Sequence, residues 1–181
     1  MAYTSDDSYW EDFAVGDVHE HVRGRTVSNE DNLAVTHSTL NTAQGHFNLD
    51  YMRGLMGGIF EERLVMGAVN LAIIVGLTSE DMSENAIRDV GMTEIRLKNP
   101  VYRDDTLYAS SEVVALTESD RPDAGLMTYR FTGRKADGTE VATGLRTVLV
   151  KRRSHWAEKD GNSDRPGNLK VITRGGVDVG A

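Results

Sequence analysis

The sequence predicts an α+β domain in which an antiparallel sheet wraps around one central buried helix. Residues 64–79 (LVMGAVNLAIIVGLTS) are apolar on nearly every side for about four helical turns, so this helix has no face suited to water. Four alternating or β-rich runs follow at residues 90–99, 106–116, 126–136 and 141–152, and turn residues separate them. A single apolar helix followed by a meander of strands is buried economically when the sheet covers the helix.

This arrangement is that of a single hot-dog domain, and the segments before the buried helix fit it. Residues 18–27 alternate between apolar and polar side chains and predict a first strand. Ser28 precedes acidic residues as a helix N-cap does, which predicts a helix over residues 30–41. This helix has few apolar positions, so we expect it to line a site rather than fill the core. Residues 41–60 show no clear period and predict an irregular loop that becomes glycine-rich and flexible.

The length of 181 residues favours one domain with extensions at both ends. Residues 1–17 are polar and predict an N-terminal arm. Residues 18–152 hold the predicted hot-dog domain. Residues 153–181 are polar and glycine-rich, and we expect them to form a flexible C-terminal tail.

Composition excludes several classes of function. The chain has no cysteine, so thiol chemistry and disulfides are excluded, and its net charge of −8 disfavours nucleic acid as a partner. The N-terminus lacks the pattern of a signal peptide, and the longest apolar stretch, residues 68–77, is too short to cross a membrane. We therefore expect a cytoplasmic protein that binds no membrane. Asp supplies 16 of the 28 acidic residues and Lys only 5 of the 20 basic ones, which hints at a salt-adapted surface.

A short motif carries the resemblance to a known family. Residues 39–46 read TLNTAQGH and place His46 five residues after Asn41. The MaoC-like dehydratases have Gly-Asp-x-Asn-Pro-x-His at this point, with Asp and His sharing a catalytic water. The span from Tyr9 to Arg152 resembles that family, most closely its mesaconyl-CoA hydratase branch, which carries a similar Asn-Thr stretch before the His. Asn replaces Asp here, and an amide cannot take a proton from water.

The resemblance implies an acyl-CoA hydratase or dehydratase that interconverts mesaconyl-CoA and β-methylmalyl-CoA. His46 would be the acid and base, and the amide of Gly67, which follows Met66 at the start of the buried helix, would hold the thioester oxygen. Asn41 would fix the water or an acyl carboxylate, with Thr42 or Gln44 nearby, and Met66 would contact the substrate at the start of the helix. The resemblance implies neither a cofactor nor a metal, because the thioester itself accepts the electrons.

Each of these residues also has an ordinary structural explanation. A lone histidine in a loop is often a surface or capping residue. Asn41 can end a helix, and Gly67 can allow close packing of the helix on the sheet. His19, His21 and His37 could be imagined to form a zinc site with His46, but their spacings match no compact ligand motif.

Charged residues offer further candidates for substrate binding. Arg53, Arg63 and Arg88 can pair with the CoA phosphates or with a carboxylate on the acyl group, although each can equally be a solvated surface residue. The Met and Gly residues at 55–58 form either a lid over an acyl pocket or a plain surface loop.

Three alternative functions remain open at this stage. The protein can be a hydratase of another enoyl-CoA, a hot-dog thioesterase that uses Glu61 or Glu62, or a non-catalytic acyl-CoA binding subunit, as the loss of the carboxylate at position 41 suggests. Hot-dog domains usually pair through their sheets with the sites at the subunit interface, so the resemblance implies a homodimer or an assembly of dimers.

Overall fold

One antiparallel sheet of six strands forms the frame of residues 8–160, the part of the chain that this computed structural model describes. The strands are β1 (Val18–Glu20), β2 (Arg25–Thr26), β3 (Ala86–Leu97), β4 (Thr106–Glu118), β5 (Ala124–Lys135) and β6 (Glu140–Lys151). Their order is β1-β4-β5-β6-β3, and β2 also pairs with β4. The four long predicted strands are confirmed, with β3 beginning at Ala86 rather than at Val90.

The buried helix, α3 (Gly67–Met82), packs across this sheet, as predicted. Its side chain Ile74 is fully buried and lies so close to Gly133 of β5 that a Cβ there would come within 2.2 Å of Ile74 Cδ1. The helix begins three residues later than the predicted Leu64, and its N-cap Met66 has a non-helical ψ of 132°. There, the Val65 amide donates to the Val101 carbonyl at 2.9 Å.

The prediction of one continuous first strand over residues 18–27 is wrong, because β1 and β2 are separate. Between them His21 turns its side chain into the interior, where it is 6% exposed. Gly24 lies against the ring of Tyr108, and a Cβ there would meet Tyr108 Cε1 at 2.6 Å. The His21 amide still donates to the Ala109 carbonyl of β4 at 3.1 Å, so the pairing is interrupted only over the following residues, where Gly24 makes this close approach.

The first helix, α1 (Asn29–Ser38), begins where the sequence predicts and ends three residues early. Ser28 and Asp31 form a reciprocal capping box: the Asp31 amide donates to Ser28 Oγ at 3.2 Å, and the Ser28 amide to Asp31 Oδ2 at 2.8 Å. After the helix, Leu40 has a φ of 53°. The predicted irregular loop is partly helical, with a 3-10 turn at Gln44–His46 and a short helix, α2 (Leu49–Gly54).

The two ends of the described chain pack against each other. The Arg152 guanidinium lies 4.1 Å from the centre of the Trp10 ring, and Asp160 accepts bonds from Lys151 Nζ at 2.7 Å and the Tyr9 hydroxyl at 3.1 Å. A short helix, α4 (Arg153–Trp156), lies in this region. Residues 153–160 of the predicted tail are thus anchored, while residues 1–7 and 161–181 lie outside the described residues.

Candidate active site

A buried amide on α1 organises the segment before α3. Asn32 is 3% exposed, and its Nδ2 donates to the carbonyl of His46 at 2.8 Å and to that of Leu64 at 3.4 Å. Its Oδ1 accepts the amide of Met66 at 2.9 Å. One side chain therefore ties the loop that carries His46 to the residues that lead into α3.

Sequence reasoning missed Asn32. The available signal was weak: Asn32 and Thr36 are four residues apart on one face of a helix with few apolar positions, and both are buried. Their burial depends on the segment that packs against α1, which the pattern within α1 does not reveal.

His46 is held with one ring nitrogen engaged. Its Nδ1 lies 2.9 Å from the Leu64 carbonyl oxygen, which can only accept, so Nδ1 carries the proton in the neutral ring. Nε2 is then the atom with a free lone pair, and no partner for it exists among residues 8–160. The ring is half-buried. This arrangement suits a general base whose tautomer and orientation are set by the backbone.

Asn41 has both ends of its amide occupied. Its Oδ1 accepts the amide of Ala43 at 2.9 Å, an Asx turn, and its Nδ2 lies 3.0 Å from Met66 Sδ. Asn41 therefore shapes the loop between α1 and His46. Met66 joins this loop to the start of α3.

Gly67 is the first residue of α3, as the resemblance required, and its amide has no acceptor among the described residues. The start of this 16-residue helix carries the positive end of the helix dipole. A Cβ at position 67 would meet Leu97 Cδ1 at 2.3 Å, so glycine also permits a close approach to β3. Both explanations of Gly67 given by the sequence fit this geometry.

The other candidate residues differ in burial and in their hydrogen-bond partners. Arg63 is half-buried, and its Nη2 donates to Asn29 Oδ1 at 2.7 Å on α1. Gln44 accepts a bond from Asn48, and Thr42 is exposed. Arg53 is exposed on α2 and makes no ion pair or side-chain hydrogen bond within residues 8–160.

The remaining charged candidates lie at the surface. Arg88 is exposed on the edge strand β3. Glu61 is exposed, and Glu62 is paired with Arg103 at 3.2 Å. No contact brings Arg88 or either glutamate to His46 in the described part of the chain.

A groove of about 420 Å³ separates α1 from α3 and begins beside Gly67. Most of its lining is aliphatic, and two acidic residues stand at one end. The lining residues are Glu30, Asp31, Ala34, Val35, Ala68, Val69, Ala72 and Ile73. Burial favours a raised pKa for Asp31, but its bonds from Ser28 and Arg25 outweigh this and lower the pKa. The groove has the size and character of a pocket for a small acyl chain.

The imagined zinc site is not assembled: within residues 8–160, no group of three or more His, Asp or Glu side chains could hold a metal ion. His37 packs edge-on against Phe47, and His19 packs against Phe13. Likewise, no helix in the described range is long and apolar enough to cross a membrane.

Solved structures share this architecture and define the class. A MaoC domain protein dehydratase from Chloroflexus aurantiacus superposes with a TM-score of 0.74 at 29% identity, over 82% of this chain and 46% of that one. A Mycobacterium tuberculosis protein with a double hot-dog fold superposes at 0.71 and 21% identity, over 92% of this chain and 50% of that one. The fold is therefore the hot-dog fold, and the protein is MaoC-like.

Sequence comparison narrows the class to a family. The family model for mesaconyl-CoA hydratase matches residues 2–173, and the chain belongs to that family. A β-methylmalyl-CoA dehydratase from Chloroflexus aurantiacus is 30% identical over 136 residues, which is 75% of this chain and 38% of the relative. The chain spans between 38% and 42% of the length of the curated relatives that it matches.

Proposed function

We propose that the protein is an acyl-CoA hydratase that reversibly adds water to mesaconyl-CoA and forms β-methylmalyl-CoA. The observation that carries the proposal is the position of His46, clamped by Leu64 three residues before Gly67, so that a base and a free helix amide belong to one segment. Family membership supports the same reaction class, and the relatives' names supply the acyl group.

In this mechanism, Nε2 of His46 takes a proton from water as the water oxygen bonds to the β-carbon. The π electrons of the carbon-carbon double bond move toward the thioester, and the enolate oxygen is held by the Gly67 amide at the positive end of α3. The imidazolium then returns the proton to the α-carbon. One water molecule is consumed, one C–O and one C–H bond form, and one π bond is lost.

The thioester serves as the electron sink, so the proposal includes no cofactor and no metal. Arg63, next to the Leu64 that clamps His46, is proposed to meet the acyl carboxylate, and the exposed Arg53 the CoA phosphates. Thr42, Gln44 and Met66 border the same loop. Asn41 holds this loop in shape through its bonds to Ala43 and Met66. In the proposed mechanism it also contacts the reacting water.

We further propose that a second copy of the chain completes the sheet along β3. This strand has 12 residues, stands at the edge of the sheet and is mostly exposed on both faces, including Val90 and Met92. Long exposed edges are normally covered. A second copy of the chain, paired through this strand in a homodimer, would cover the edge.

The test is to mix purified protein separately with mesaconyl-CoA and crotonyl-CoA, and to follow enoyl absorbance, product mass and free CoA. Hydrated mesaconyl-CoA is the expected product, and sedimentation velocity should show a dimer. Hydration of crotonyl-CoA alone would indicate a hydratase with a different substrate. Release of free CoA would indicate a thioesterase. Binding without turnover at any pH would indicate a non-catalytic subunit, and a monomer would contradict the dimer.

A further inference from the structure

One buried side-chain amide on α3 has an oxygen atom that makes no hydrogen bond within the described residues. Asn70 is 5% exposed, and its Oδ1 has no hydrogen-bond partner anywhere in residues 8–160. Eight residues further along the same face of α3, Thr78 is also buried and polar, but it donates to the Val75 carbonyl at 2.8 Å and bonds the Tyr129 hydroxyl at 3.0 Å. The fold therefore satisfies one polar residue of this face and not the other.

An unpaired buried acceptor destabilises a protein, and the apolar residues on either side show that this face accepts aliphatic side chains. Val69 and Ile74 are buried beside Asn70. A leucine at position 70 would remove the unpaired oxygen without changing the size of the side chain much. An amide at this position is explained if a ligand supplies the missing donor.

The position of Asn70 indicates where that ligand lies. Its backbone amide donates to the Met66 carbonyl at 3.3 Å, so it lies one turn above the start of α3. Helical side chains lean toward the N-terminus of their helix, which directs the Asn70 amide toward Met66 and Gly67. Met66 in turn contacts Asn32 and Asn41, the residues that border the His46 loop.

The chemistry of the proposed ligand limits which of its groups could donate a hydrogen bond to Asn70 Oδ1. The reacting end of an enoyl thioester carries acceptors only, so a donor there comes from the reacting water or, after addition, from the hydroxyl group that the same oxygen becomes. Asn41 holds its own Oδ1 on the Ala43 amide. Resting on the function proposed above, we propose that Asn70 Oδ1 accepts a hydrogen bond from this oxygen and so positions the water before addition and the hydroxyl after it.

The test compares Asn70→Leu with a matched control, Thr78→Val. Both variants remove a buried polar group, but only the Thr78 hydroxyl has hydrogen-bond partners within the described residues. Asn70→Leu should lower kcat/KM for hydration about tenfold or more, the effect of one lost hydrogen bond, and leave the melting temperature unchanged or raised. Thr78→Val should lower the melting temperature and leave kcat/KM near that of the wild type.

Binding provides a readout that does not need turnover. In a His46→Ala background, calorimetry compares β-methylmalyl-CoA with methylsuccinyl-CoA, which lacks the hydroxyl group. Asn70 should favour the hydroxyl compound about tenfold, and Asn70→Leu should abolish the preference. Loss of stability in Asn70→Leu with the preference intact would overturn the inference and make Asn70 structural.

The two proposals fail separately. If the wild type hydrates neither thioester but shows the Asn70-dependent preference, the hydratase is overturned and the hydroxyl-binding role is supported. Hydration that is unaffected by Asn70→Leu overturns the role of Asn70 alone. If neither thioester binds or reacts, both proposals are overturned.

Discussion

His21 and His46 are both held by hydrogen bonds, but in opposite ways. His21 has both ring nitrogens engaged in the interior: Nδ1 lies 2.5 Å from Asp81 Oδ2 and Nε2 lies 2.9 Å from Ser111 Oγ. His46 has one nitrogen on a backbone carbonyl and the other without a partner among the described residues. The number of free ring nitrogens, rather than the presence of a carboxylate partner, therefore separates the proposed base His46 from the structural His21.

The His21 cluster has the connectivity of a hydrolase triad, with a carboxylate on one ring nitrogen and a serine on the other. Ser111, however, is only 2% exposed, and the His21 side chain is equally closed. The ring nitrogens of His21 are also both bonded within the cluster, so neither is free to act on a substrate. The cluster instead joins the segment after β1 to the end of α3 and to β4.

The largest expected difference between the two histidines is kinetic. His46→Ala should lower kcat for hydration by about 10² to 10⁴, because it removes the acid-base group, and should leave the melting temperature nearly unchanged. His21→Ala should keep kcat per folded molecule and lower the melting temperature. Steady-state kinetics and thermal unfolding of both variants check this, and the reverse assignment of effects would refute the comparison.

A smaller effect is expected for Asp81, and it depends on pH. The hydrogen bond from His21 lowers the pKa of Asp81 below its usual value of 3.8. A lowered pKa stabilises the fold above pH 3.8, and this stabilisation is lost as pH falls through the lowered pKa. Asp81→Asn should therefore reduce the free energy of unfolding near pH 7 by about 1 kcal/mol, since the side chain is 40% exposed and screened.

Urea unfolding of the wild type and of Asp81→Asn at several pH values measures this difference. It should begin to shrink below about pH 4 and approach zero as pH falls through the lowered pKa of Asp81, where the carboxyl group of the folded wild type becomes protonated. Asp123, whose pKa is lowered to about 2 by Arg121, offers a control, because this pair does not contact His21. A difference that stays constant over the whole range would contradict the role of the Asp81 charge.

The smallest effect is expected at Ser111. Ser111→Ala removes the partner of His21 Nε2 and should cost about 1 kcal/mol of stability without changing hydration. The wild-type serine should not react with a fluorophosphonate probe, because it is buried. Labelling of Ser111 would show that the cluster opens. It would contradict the structural role of His21 and indicate a reactive serine.

Local pattern was sufficient for most of the fold. The apolar helix, the four long strands and the Ser28 cap depend on residues within a few positions of one another, so their periodicity and composition could be read directly. The prediction of one continuous first strand failed because Gly24 lies against the Tyr108 ring, a contact that the alternation of its own segment does not reveal.

The candidate site divides in the same way. The spacing of Asn41 and His46 and the glycine at the start of α3 are properties of short stretches, and they were visible in the sequence. The bond of His46 to Leu64, the bonds of Asn32 and the occupied amide of Asn41 were not, because their partners lie 14 to 34 residues away or depend on the turn that forms after α1.

Sequence alone thus settled which segments are apolar, where helices can begin and which residues are able to exchange a proton, because these follow from side-chain chemistry and local periodicity. Only the tertiary structure decided which polar atoms are paired and which are left free. His21 and His46, or Thr78 and Asn70, are alike as residues in a sequence. They differ because folding brings hydrogen-bond partners to both nitrogens of His21 and to Thr78, and leaves Nε2 of His46 and Oδ1 of Asn70 unpaired within the described chain.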